Sequence, residues 1–86
     1  GGALSSDRIE IARIVFEAMR SGRDARVEFL KPMGGRKIFH IRPLEESFRN
    51  DDFMKGYLSV HLFADKNGPG KVYKLRLDNI LSAELL

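Results

Sequence analysis

Residues 56–81 read GYLSVHLFADKNGPGKVYKLRLDNIL. Apolar and polar side chains alternate on both sides of a glycine- and proline-bearing turn, the pattern of two antiparallel strands. Residues 54–64 form the outgoing strand, with Leu58, Val60 and Leu62 on its core face. DKNGPG turns the chain, and residues 71–81 return with Tyr73, Leu75 and Leu77 inward. An isolated hairpin is marginal in water, so neighbouring segments must cover its apolar face.

Upstream, residues 25–32 (ARVEFLKP) alternate in the same way, Val27 and Phe29 opposing Arg26 and Glu28. Met33, Gly34 and Gly35 make a tight turn, and residues 36–44 (RKIFHIRPL) follow with Phe39 and Ile41 opposite His40 and Arg42. Residues 45–55 are polar and turn-rich, a loop pinned by Phe48 and Phe53 or, alternatively, a lid or docking element. SAELL at the C-terminal end is a candidate last short strand. Residues 7–21 (DRIEIARIVFEAMRS) have helical periodicity, with Asp7 and Glu10 spaced as a capping box and Gly22 placed as a C-terminal stop. Glu10, Arg13, Glu17, Arg20 and Ser21 share a narrow polar stripe, leaving an apolar arc wider than a one-sided amphipathic helix needs. Such a helix is expected to be covered on two sides: by its own sheet, and by a second copy, a neighbouring domain or other chain. The expected fold class is α+β, an N-terminal amphipathic helix packed on a small four- to five-stranded antiparallel barrel, because closing the sheet removes exposed edges.

Eighty-six residues imply one domain, over residues 3–86 once Gly1-Gly2 is set aside as an expression remnant. At 43% hydrophobic and 31% charged the composition is that of a folded domain. The absence of cysteine excludes disulfides, thiolate metal sites and cysteine nucleophiles, and fits a cytoplasmic setting. No apolar run approaches the roughly 18–20 residues of a membrane helix. A net charge of +3 leans toward anionic partners.

Three landmarks fall in order: an apolar helix leading into a strand, IRPL at 41–44, and GYL at 56–58 before a hairpin that closes on LRLDNI at 75–80. This arrangement resembles the WYL domain, a bacterial regulatory module. The resemblance implies an SH3/Sm-like barrel behind the helix. It also implies a ligand-sensing role in transcription factors or CRISPR and defence proteins, with nucleic acid, single-stranded above all, as ligand. Its partner would be an effector protein or a fused DNA-binding domain. By motif, Tyr57 takes the place of the family tyrosine, Arg42 that of the arginine before the proline, and Arg76 that of the first arginine of the closing motif. Two positions depart: Gly56 stands where the family has tryptophan, and Asn79 replaces the second closing arginine.

Alternation independently places His40 and Arg42, then Tyr57, Ser59 and His61, then Lys74 and Arg76, on the non-core faces of three strands. If those strands are neighbours, the residues make a basic patch with an aromatic, the combination that binds single-stranded nucleic acid or a nucleotide. Arg42 and Arg76 would pair with phosphates and Lys74 would add attraction at longer range. Tyr57 would stack on a base or sugar, and His40, Ser59 and His61 would offer hydrogen bonds. Two histidines on separate strands do not make a metal site. Residues 65–76 fail as a calcium loop, because Pro69 and Arg76 occupy ligand positions five and twelve. No serine lies in a nucleophile context, so neither catalysis nor a cofactor is expected. The alternative function is an interaction or homodimerisation module working through helix 7–21.

Overall fold

The helix forms over Arg8–Ser21 (α1) in the computed structural model, which describes residues 8–63 and 70–86. Its stop is a full Schellman motif: Gly22 adopts φ 70°, its N–H reaches Met19 O at 3.4 Å, and the Arg23 N–H reaches Ala18 O at 2.9 Å. The capping box expected at Asp7 lies outside the described residues; Glu10 accepts from Arg13 Nε at 3.1 Å. Ile11, Val15 and Ala18 form the buried stripe.

Five strands follow: β1 (Ala25–Leu30), β2 (Arg36–Pro43), β3 (Tyr57–Leu62), β4 (Tyr73–Arg76) and β5 (Ile80–Leu85). They make one antiparallel sheet in the order β4-β3-β2-β1-β5. The fold is therefore α+β, one helix packed on a five-stranded sheet. Val15 of α1 meets Val27, Ile41, Leu58 and Val60 in a core where all five are fully buried.

The connection between the two edge strands dictates the sheet's shape. A flat five-stranded sheet would hold β4 and β5 roughly 19 Å apart, four spacings of about 4.8 Å. Only the 3-10 turn Leu77–Asn79 joins them, and three such residues span about 6 Å. The sheet must therefore curl toward a barrel, helped by an irregularity in the β1–β5 register at Glu28 and Phe29. Among the described residues β4 and β5 do not pair, so the seam stays open.

Three expectations need correction. Residues 71–81 are not one strand: β4 stops at Arg76, the turn-forming Asp78 and Asn79 make the corner, and Ile80 starts β5, which absorbs most of SAELL. Residues 54–56 are not strand either, because the chain is still turning, with Asp51 at φ 61° and Gly56 at φ 93°. The polar loop contains a helical turn, Glu46–Arg49 (α2). The ring of Phe48 stacks on Phe53 at 4.7 Å and meets Phe16 of α1 edge-on at 5.4 Å. So the connector is pinned by its two aromatics, and part of the helix's second apolar side is covered by the chain itself. The DKNGPG turn falls largely outside the described residues.

Candidate functional site

The β2–β1 register pairs Ala25 with Ile41, and one further step along it sets Asp24 opposite Arg42. The Asp24 carboxylate lies only 17% exposed. Oδ1 accepts from Arg42 Nε at 2.9 Å, and Oδ2 accepts from His40 Nε2 at 2.7 Å. Burial pushes the Asp24 carboxyl up, but the hydrogen bonds from Arg42 and His40, with their charges, outweigh it and hold the group below the usual aspartate value. An ionised Asp24 can only accept, so the His40 tautomer carries its proton on Nε2. His40 in turn stacks parallel on Phe63, centroids 4.5 Å apart at 11°.

β3 runs through the middle of this face. His61 lies opposite Arg42, Ser59 opposite Lys74, and Tyr57 opposite Arg76. Six of the seven expected residues thus share one surface across β2, β3 and β4. Arg42, Lys74 and Arg76 are exposed, Tyr57 is just exposed, and His40 and His61 are half-buried. Ser59 departs from the expectation, being fully buried. Past Pro43 the Leu44 N–H still reaches Ser59 O at 2.9 Å, and Ser47 completes the ladder: its Oγ donates to Ser59 O at 3.1 Å and accepts from Ser59 N–H at 2.7 Å. The Ser47 hydroxyl draws the α2 connector against β3. Alternation cannot foresee this, because it assumes that the non-core face of a strand stays open.

Two of the cations are not free. Arg42 is held by Asp24, and Lys74 Nζ lies 3.6 Å from Asp52 Oδ2, on a side chain 16% exposed. The Arg76 side chain shows no hydrogen bond or ion pair among the described residues. Three cations against two carboxylates leave the face at about +1, enough to attract an anion but not to grip a long polyanion. Asp24, Asp52, Ser47 and Phe63 were missed from sequence. Asp24 was within reach: a hairpin turning at Met33 to Gly35 sets the register, and the register sets an aspartate against an arginine, a stabilising cross-strand pair.

The departure at Gly56 has a local cause. Its φ of 93° is one that side-chain-bearing residues rarely adopt, although nothing lies within 4 Å of where a Cβ would be. Backbone conformation, not space, disfavours tryptophan at this turn. Among the described residues no cluster of three or more His, Asp or Glu could hold a metal ion, and no helix is long and apolar enough to cross a membrane.

A scan against protein-family models finds no match, and no curated protein matches in sequence. Among solved structures, the chain resembles part of proteasome accessory factor B/C (PafBC) of Arthrobacter aurescens. The TM-score is 0.61 at 17% identity, over 91% of this chain and 11% of that one. At that identity the likeness is one of fold alone. The chain spans about a tenth of that protein's length.

Proposed function

We propose that the chain is a non-catalytic, WYL-like regulatory module that senses an anionic, ring-bearing ligand: a nucleotide or a short single-stranded nucleic acid. The observation that carries this reading is the convergence of Arg42, Tyr57, His61, Lys74 and Arg76 on one face of three neighbouring strands. The PafBC-like fold supports a regulatory setting, in which a transcriptional or defence effector reads the signal. Arg76 and Arg42 take the phosphates, Lys74 adds attraction, and Tyr57 stacks. His40 acts through Asp24 and Phe63, and the buried Ser59 shapes the strand from beneath. Because Asp24 ties Arg42 to the start of β1, a phosphate that competes for Arg42 also pulls on the junction between α1 and the sheet.

Fluorescence anisotropy with labelled single-stranded DNA and RNA at two salt concentrations tests this reading. Arg76→Ala is the clean variant, since it breaks no ion pair among the described residues, and Arg42→Ala/Arg76→Ala is the full one. Two phosphate contacts predict a shallow slope of log K on log salt, roughly −1.4 at about −0.7 per contact on single strands. Affinity lost in the double variant supports the reading. No binding at low salt by the folded protein sinks it.

A second reading, docking of an effector or a second copy through α1, is favoured by Ile9 and Met54. They are 79% and 84% exposed, beside a shallow groove of about 160 Å³ between α1 and the connector.

A further inference from the structure

Phe63 is an exposed aromatic with an unusual footing. Directly after β3, it leaves 67% of its surface to solvent. A lone exposed phenylalanine on a turn usually samples several rotamers, but this one is backed by the parallel ring of His40 at 4.5 Å. His40 is itself tied at 2.7 Å to the sheltered Asp24 carboxylate, whose other oxygen holds Arg42 at 2.9 Å. The Phe63 backbone N–H reaches His40 O at 2.9 Å, so main chain and ring are fixed to the same residue. A single carboxylate thereby sets the plane of an exposed ring and the position of a guanidinium two residues along β2 from its backing histidine.

We infer that Phe63 is a preorganised stacking platform for a nucleobase, with His40 as its backing and Asp24 as the positioning residue for both Phe63 and Arg42. The inference rests on the proposed nucleotide-binding reading and extends its site to the far end of β3. Tyr57 stands at the other end, six residues away, which is about 20 Å at roughly 3.3 Å per residue. With about 3.4 Å per stacked nucleotide on one strand, that span matches about six nucleotides. Two rings at the ends and cations between them make a finite track, so a hexanucleotide fills it and longer strands gain little.

The chain has no tryptophan, so Phe63→Trp places a single fluorescent reporter on the platform. The probes are a thymidine hexanucleotide and an abasic hexamer carrying the same phosphates. Saturable quenching of the reporter's fluorescence by the first, with little by the second, is expected. Phe63→Ala should weaken binding of the thymidine hexamer roughly tenfold, the scale of one lost base stack, and leave the abasic hexamer unaffected. Both substitutions are on the surface, and thermal melts matching the wild type establish that the fold is kept. Equal loss on both hexamers, or a silent reporter while anisotropy shows binding, overturns the platform and leaves the ligand face standing. If the wild type binds neither hexamer, the ligand reading and the platform fall together.

Discussion

At the scale of single residues, two buried serines do opposite things. Ser47 Oγ satisfies both the N–H and the C=O of Ser59, whereas the Ser59 hydroxyl is buried with no partner among the described residues. Removing Ser47 Oγ strands the buried Ser59 N–H, while the Ser59 carbonyl keeps the Leu44 N–H at 2.9 Å; removing Ser59 Oγ strands nothing. Ser47→Ala is therefore expected to lower the unfolding free energy by about 2 kcal/mol, and Ser59→Ala to leave it unchanged or slightly raised. Urea denaturation of the two variants settles the order, and equal losses would refute this account of the connector's attachment. The same contrast bears on function, since a hydroxyl sealed in the fold is not available to a ligand.

At the scale of elements, α1 shows three kinds of surface. Ile11, Val15 and Ala18 face the sheet, Phe16 leans on the connector's Phe48, and Ile9 lies exposed. The paired charges Glu10 with Arg13 and Glu17 with Arg20 run along its outer side, holding both glutamates below the usual carboxylate range through the hydrogen bonds that their arginines donate. Any partner of α1 therefore meets Ile9 and the neighbouring groove, not Val15, which is wholly committed to the core. If α1 mediates self-association, Ile9→Glu abolishes the dimer seen by light scattering and leaves the melting temperature within a few degrees. A wild-type protein that runs as a monomer at high concentration would remove the homodimer and leave the groove to an effector.

At the scale of the whole molecule, Asp24 is where the C-terminal residue Leu86 meets the β1–β2 hairpin. Its side chain holds β2 through His40 and Arg42, its carbonyl accepts from the Leu86 N–H at 3.0 Å, and the neighbouring Arg23 Nε donates to Leu86 O at 2.7 Å. Because the folded state depresses the Asp24 proton affinity, the unfolded chain binds the proton more readily. The stabilisation is complete above the ordinary aspartate value, about pH 4, and fades as pH falls through the lower folded value. Asp24→Asn should be clearly less stable than the wild type at pH 6, and the gap should narrow steadily below pH 4. Urea melts across that range provide the measurement, and a gap independent of pH would show that the carboxylate charge is not what binds these segments.

Local pattern alone revealed the helix and its glycine stop, four of the strands in essentially their observed phase, and six of the seven residues on the candidate face. Those features depend on periodicity and backbone preference, which are written residue by residue. Three others depend on contacts between segments far apart in sequence. The split of 71–81 into β4, a corner and β5 follows from a sheet that must curl to bring its edges together. Ser59 is buried where the connector closes on β3, with Ser47, twelve residues earlier, bonding its backbone beside Leu44. Arg42 and His40 are restrained because an aspartate sixteen and more residues away lies opposite them in the hairpin register. Alternation, written in the order of residues, assigns each strand its core and non-core faces; which non-core residues are sealed in, as Ser59 is, or already held by the protein's own acids, as Arg42 and Lys74 are, depends on contacts that only the folded chain makes.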